Sequence, residues 1–469
     1  MSADFHPSPL RAWLTQFPPD AAVWTDGRRA WLAREILVSH PASGSGRLDG
    51  LRGRTVALAL RPQLELARLM VALDGVAAAL LLVPAEWPES VWAERFGAAG
   101  VEVVVSDRPR SAGLKVEHCH AGELLRETAG RVAETDPIFR SATARATRVI
   151  LPTSGTTGAP KLVSHTWATL TRAIKTGGES PCQRWGLLYE LGRFAGLQVF
   201  LQALAARATL IFTDHLPDLE ARLELLAALG CDALSATPTM WRKILMSPAG
   251  RRLPLRQITL GGEIADDLVL RALTDAFPHA RVTHIYASTE AGVGFSVRDG
   301  RAGFPAAYLE DSPSGVELRV DASGRLWLRP PVRGQIYLGA EGPETVEGWI
   351  DSGDLVERRG DRFYFLGRAS GAINVGGDKV FPEEVERVIL ELPEIVLARV
   401  NARRNPIVGA VVEAAVVPRA TPGEVTGTVE LARRVRAHCA ARLPRHKVPA
   451  LVQVVTDLKA EGTGKLARR

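Results

Sequence analysis

From Thr55 the chain alternates short apolar runs with longer segments of helical spacing. TVALAL (55–60) reads as a strand, LELARLMVALDG (64–75) as an amphipathic helix closed by Gly75, and AAALLLVP (77–84) as a second strand. VEVVVS (101–106) reads as a third strand after another glycine-terminated helix. Continuous apolar strands interleaved with helices predict a parallel sheet covered by helices. A second series starts at Thr147, where RVILPT (148–153) runs into a turn rich in glycine and threonine, and RATLIFT, ALSATP, QITLGG and RVTHIYA follow as strands with helices between them.

Past Gly303 the texture changes. GVELRV, GRLWLR and GQIYLG are short β-rich runs bounded by glycine and proline, as in a meander or small barrel, and DLVERRGDRFYFLGR (354–368) reads as a hairpin. Beyond Arg368, EEVERVILEL has helical spacing, IVLARVNAR and VGAVVEAAVVP read as strands, and GEVTGTVELARRVRAHCAARL reads as a helix. The expected architecture is a large multi-layer α/β N-terminal domain with a small β-barrel-like part over 1–368, followed by a small α+β C-terminal domain over 371–469.

Composition adds little against this picture. The 469 residues are 46% hydrophobic and 23% charged, the balance of a soluble globular protein of at least two domains. A net charge of +6 is small for this surface, and no basic cluster interleaved with aromatics argues for nucleic acid. Cys119, Cys182, Cys231 and Cys439 lie far apart with no CxxC pair, which fits a reducing compartment, with cytoplasm the expectation. The His118-Cys119-His120 run would point alternately to opposite faces of a strand and has no second ligand cluster nearby. No signal peptide is evident, and the most apolar segment, Leu69–Val83, is broken by Asp74 and Gly75 before it could span a bilayer.

The stretch that carries most chemistry is LPTSGTTGAPKLVSH (151–165), which packs hydroxyls, glycines and a lysine directly after a strand. Backbone amides at Gly155 and Gly158 can approach anionic oxygens closely, hydroxyls of Thr153, Ser154, Thr156 and Thr157 add neutral donors, and Lys161 adds positive charge. The Walker spacing fails, because Pro160 stands where its glycine is required. On its own the stretch is either a polyphosphate cradle or a solvated turn.

TSGTTGAPK resembles the phosphate loop of the acyl-adenylate-forming, AMP-binding superfamily. Further segments match that superfamily in order: LGGE (260–263), YASTEAG (286–292), WIDSGDL (349–355), FLGR (365–368), INVGGDKVFPEEVE (373–386) and the terminal GTGKLARR. Among only eight lysines, Lys161, Lys379, Lys447 and Lys465 fall in or beside these segments.

The resemblance implies roles. Lys465 would bridge the substrate carboxylate and the phosphate, Thr289 would bond the α-phosphate, and Glu290 would hold Mg²⁺. Tyr286 would stack on adenine beside Gly261, Gly262, Glu263, Ala287 and Ser288. Asp354 would accept the ribose hydroxyls and Arg368 would contact the nucleotide. Without the family, Thr289-Glu290 reads as a helix N-terminus, Asp354 as a hairpin aspartate and Lys465 as a solvated terminal lysine. The superfamily also implies a small domain that rotates about a hinge at Ser370, so that Gly376, Gly377 and Lys379 line a channel for a phosphopantetheine arm.

Two departures stand out. Ser370-Gly371 replaces the usual acidic pair after the hinge arginine, and Arg193-Phe194-Ala195-Gly196-Leu197 replaces a histidine-led segment beside the acyl pocket. Arg193 would then either pair with a second anionic or hydroxylated group of the substrate or face solvent, with Phe194, Gly196, Leu197 and Val293 nearby. The implied activity is ATP-dependent ligation of an aryl or fatty acid to the thiol of CoA through an acyl-AMP. The alternatives are loading of an acyl carrier protein and non-catalytic nucleotide binding.

Overall fold

The computed structural model describes residues 9–37, 46–109, 113–128, 146–153, 161–175, 182–332, 335–339, 345–405, 409–419 and 427–458. The predicted strands form two separate sheets, with RVILPT, the first strand of the second series, joining the first series. The first has seven strands in the order Ile336–Leu338, Leu162–His165, Arg148–Pro152, Ala79–Leu82, Thr55–Ala59, Val103–Ser106, Glu117–His120. The second has eight, in the order Gly292–Val297, Arg281–Ser288, Gln257–Gly261, Ala233–Ala236, Arg184–Leu187, Thr209–Phe212, Ala22–Thr25, Ala30–Leu32. The central pairings of both are parallel and the outermost include antiparallel ones.

Strands such as Ala79–Leu82 and Val103–Ser106 are buried at every position, which explains why they lack polar alternation: both faces are covered. One hydrophobic cluster joins Val56, Leu58 and Leu80 of the first sheet with Leu187, Leu210 and Phe212 of the second, through the helices Gln63–Leu73 and Phe194–Ala205. The helix Phe194–Ala205 is apolar nearly all round, as a helix enclosed by such a core must be. Outer helices cover the other faces, with Trp92 and Phe96 on the first sheet and Trp241 and Ile244 on the second.

The β-rich part is an antiparallel sheet in the order Phe304–Pro305, Arg362–Arg368, Trp349–Arg359, Arg325–Arg329, Glu317–Val320. GVELRV and GRLWLR supply adjacent strands of it, but the GQIYLG run does not. Ile336–Leu338 instead pairs antiparallel with Leu162–His165 and extends the seven-stranded sheet. The expected hairpin forms, turning at Gly360 with φ +63°.

The smaller C-terminal domain packs the helices Pro382–Ile389 and Thr428–Ala440 on a three-stranded sheet of Ile395–Asn405, Gly409–Pro418 and Leu451–Val454. It meets the large domain at the helix Pro238–Met246, where Lys243 Nζ bonds Asp457 at 2.7 Å and the Leu458 carbonyl at 3.0 Å. Among the described residues no helix is long and apolar enough to cross a membrane.

Candidate active site

Strand ends of the two large sheets, the antiparallel sheet and the first helix of the small domain surround one cleft of about 2200 Å³. At the end of Arg148–Pro152, Thr153 is buried, its amide bonds the Lys161 carbonyl at 2.8 Å, and its Oγ1 has no partner. A buried hydroxyl left unsatisfied at a cleft wall calls for a ligand oxygen. Lys161 lines the same cleft with no carboxylate partner among the described residues. Ser154, Gly155, Thr156, Thr157 and Gly158 lie outside the described residues, as does Lys465.

Thr289 and Glu290 occupy the tight connection between the antiparallel strands Arg281–Ser288 and Gly292–Val297. They sit on a hairpin rather than at a helix start. Ser288 Oγ accepts the Ala291 amide at 3.0 Å, Gly292 takes φ +70°, and the register slips between Tyr286 and Ala287, so the turn is pinned where a bulge re-aims the side chains. Thr289 and Glu290 both line the cleft, and the Glu290 carboxylate has no hydrogen-bond or ion-pair partner among the described residues.

His165 lies behind this turn, fully buried, with Nδ1 3.2 Å from Thr169 Oγ1 and the ring against the Thr289 backbone. Burial, with Arg148 nearby, pushes its pKa down to about 4. The folded value lies below the unfolded one, so the stability this neutral ring allows is complete above about 6.5 and is lost as pH falls through about 4. Over that window the loss expected from this one ring is roughly 3 kcal/mol. Denaturant unfolding of wild type and His165→Asn at pH 7 and pH 4.5 checks it: the variant's stability should fall less between the two.

Also lining the cleft, Asp354 pairs with Arg368 across Trp349–Arg359 and Arg362–Arg368. Asp354 Oδ1 accepts Arg368 Nε at 3.3 Å and Oδ2 accepts the Tyr286 hydroxyl at 2.5 Å, while Arg368 Nη2 donates to the Ser352 carbonyl at 3.2 Å. Burial and the Asp354 charge hold the Tyr286 phenol far above its usual pKa, so it remains a donor. The Tyr286 ring packs in parallel on both Phe295 and Phe365, each 5.1 Å away between centroids. In this arrangement the aromatic surface expected to receive adenine is engaged by protein rings. Gly261 ends its strand, Gly262 turns with φ +83°, and Glu263 is drawn back to accept the Thr239 amide at 2.9 Å at the start of the helix Pro238–Met246.

The acyl-side expectations divide. Phe194, Ala287 and Val293 line the cleft. Gly196 and Leu197 do not: Leu197 is fully buried in the core, and a Cβ on Gly196 would stand 2.1 Å from the Glu190 carbonyl. Helix phase is the reason, since Phe194, Ala195, Gln198, Val199 and Gln202 share the cleft face and the intervening residues turn away. Gln198, Val199 and Gln202 were thus missed, although a 3.6-residue count from Phe194 points to them.

Arg193 is corrected as well. It neither faces solvent nor stands free for a substrate, because its guanidinium pairs with Glu86 and, at 3.3 Å, with Glu190. Glu190 is itself buried, which raises its carboxyl pKa, and it also accepts the Ala85 amide. Arg172 also lines the cleft, half-buried, beside Val293.

Gly376 and Gly377 form the turn of a short hairpin, Ile373–Val375 with Asp378–Val380, at φ +62° and +100°. That conformation explains the glycine pair, and the turn and Lys379 are solvent-exposed outside the cleft lining. Ser370 lies in the single turn Ala369–Gly371 that joins the antiparallel sheet to this hairpin.

Two α/β sheets, an antiparallel sheet and a small α+β domain around a cleft lined by Thr153, Lys161, Glu290 and the paired Asp354–Arg368 are the architecture of an adenylate-forming protein class. The chain belongs to the AMP-binding enzyme family, matching it over residues 44–338, with the family's C-terminal domain matched over 384–465. It is 27% identical to a 2-succinylbenzoate–CoA ligase of Geobacillus kaustophilus over 98% of this chain and 95% of that protein. It is 28% identical to a probable non-canonical nonribosomal peptide synthetase of Salinispora arenicola over 71% of this chain but only 5% of that far longer protein. Among solved structures, o-succinylbenzoate CoA synthetase from Bacillus subtilis in complex with its acyl-adenylate intermediate superposes with a TM-score of 0.72 at 21% identity, covering 98% of this chain and 97% of that one. The same Bacillus enzyme has also been solved with ATP and magnesium ion.

Proposed function

We propose that this protein is an ATP-dependent acid–thiol ligase. A carboxylate oxygen attacks the α-phosphorus of ATP and pyrophosphate leaves. A thiol sulfur then attacks the acyl carbon of the resulting acyl-AMP, and AMP leaves with the bonding electron pair. The observation that carries this reading is the convergence of Thr153 Oγ1, Lys161 and Glu290 on one cleft, none with a protein partner among the described residues, together with the Asp354–Tyr286–Arg368 group.

These donors suit the groups the reaction needs. Thr153 and Lys161, with the loop Ser154 to Gly158, would hold the β- and γ-phosphates by hydroxyls, amides and an ammonium. Glu290 is the carboxylate available for Mg²⁺, which supplies positive charge against the repulsion between carboxylate and triphosphate. Thr289 beside it would donate to the α-phosphate, and Asp354 would accept the ribose hydroxyls while Arg368 holds its orientation. Lys465 would supply the cation of the first step. The small domain would then turn about Ser370, withdrawing Lys465 and bringing the Gly376–Gly377 turn towards the cleft for the thiol arm.

The acceptor is assigned to CoA, on the near full-length similarity to a CoA ligase and on the INVGGDKVFPEEVE segment. Incubating the protein with ATP, Mg²⁺ and a panel of benzoates, cinnamates and fatty acids, then adding CoA or a holo acyl carrier protein, tests it. AMP release driven by CoA is the expected result. Release driven only by carrier protein would reassign the phosphopantetheine donor, and absence of pyrophosphate release with every acid would favour a nucleotide-binding protein without catalysis.

A further inference from the structure

Two arginines approach the acyl side of the cleft, and their electrostatic surroundings differ sharply. Arg193 is neutralised by Glu86 and Glu190. Arg172, which follows the short helix Trp167–Thr171, has no carboxylate partner among the described residues. Its Nη2 donates to the carbonyls of Ala291 at 3.3 Å and Val293 at 2.6 Å, while Nη1 is buried with no partner among the described residues. Burial alone lowers its pKa, with no neighbouring charge of either sign compensating it.

A guanidinium drawn out of water without a counter-charge is costly to the fold. Dipoles of two carbonyls offset only part of that cost, and the orphaned Nη1 is left with nothing. The cost is recovered if an anion arrives with the ligand. The cleft holds a second unmet donor, since Trp185 Nε1 is also buried without a partner among the described residues in a residue that lines it. Phe194, Val199, Ala287 and Val293 line the cleft with the neutral Gln198 and Gln202, so among these residues Arg172 is the charge an anion would meet.

We propose that Arg172 is a specificity-determining residue that selects an acid carrying a second anionic group, most simply a dicarboxylate, whose distal carboxylate pairs with the guanidinium while the other carboxylate is adenylated. This rests on the ligase reading above and narrows its substrate class. A site built around an unpaired charge rejects the uncharged analogue because binding that analogue seals the charge in without a partner. Arg172 also holds the carbonyls after Glu290, so an arriving anion would firm the turn that carries Thr289 and Glu290.

The test compares aromatic and aliphatic diacids with their own monomethyl esters in a pyrophosphate-release assay on the whole protein. Wild type should favour the best diacid over its monoester on the order of 10²-fold in kcat/KM, mostly through KM. Arg172→Gln should bring the two to parity, and Arg172→Lys should restore part of the preference. Equal use of diacid and monoester by wild type would overturn the inference while leaving the ligase reading in place, and it needs no variant that folds. A uniform loss with both substrates in Arg172→Gln, without a change in their ratio, would reduce Arg172 to a structural pin and also overturn it. Pyrophosphate release with no acid of either kind would strike the ligase reading itself, and this inference would fall with it.

Discussion

Lys465→Ala is expected to slow acyl-AMP formation by roughly three orders of magnitude while leaving thioester formation from supplied acyl-AMP nearly unchanged. In the first step two anions must approach while a third group of negative charge departs. An ammonium that touches both the carboxylate and the α-phosphate oxygens lowers that barrier only in the adenylation transition state. In the second step the thiol attacks the acyl carbon and AMP leaves with the bonding electron pair, after the proposed turn of the small domain has withdrawn Lys465 from the cleft. Single-turnover measurement of each half-reaction separates the two. Equal losses in both would show that Lys465 acts through folding or domain docking, and would remove it from the chemistry.

Asp354→Ala carries the second large effect, expected as a rise of about 10²-fold or more in the KM for ATP with a smaller change in kcat. The carboxylate has three duties in the structure described above. It accepts the Tyr286 hydroxyl at 2.5 Å, it accepts Arg368 Nε at 3.3 Å, and it faces the cleft where a ribose would lie. Removing it leaves a buried phenol without an acceptor and a guanidinium without its counter-charge, so the wall loses shape as well as a ligand. Asp354→Asn keeps the volume and one acceptor oxygen but presents an amide donor to Arg368 or Tyr286, and should fall between wild type and alanine. Initial-rate kinetics in ATP, with intrinsic fluorescence to follow unfolding, checks the order. An alanine variant with an unchanged ATP KM would exclude Asp354 from the nucleotide site.

The roles given to Lys465 and Asp354 come from the family resemblance, since local pattern alone reads them as a terminal lysine and a hairpin aspartate; what neighbouring letters do share is the placing of polar groups together in short segments. Thr153 and Lys161 flank one loop, Thr289 and Glu290 share one turn, and Asp354 and Arg368 face each other across one hairpin. The acyl side was not legible in that way. Gly196 and Leu197 are adjacent to Phe194 in sequence yet belong to the core, since a helix turns consecutive residues by about a quarter of a circle or more. Arg193 was read as a free cation because its partner Glu86 lies on a distant segment, and no local motif announces that pairing.

The chain's own letters determined the alternation of strands and helices, the large-then-small domain order, and the hairpin that bears Asp354 and Arg368, because hydrophobic period and turn chemistry act over a few residues. The Thr289-Glu290 turn, read locally as a helix start, was settled only by strand pairing. Tertiary structure decided what those letters face. It divided the parallel strands between two sheets with a shared core, moved Ile336–Leu338 to the edge beside Leu162–His165, packed Tyr286 on Phe295 and Phe365, and neutralised Arg193 while leaving Arg172 without a counter-ion. Charge compensation and ring stacking depend on distances between segments remote in sequence, and only the packed chain sets those distances.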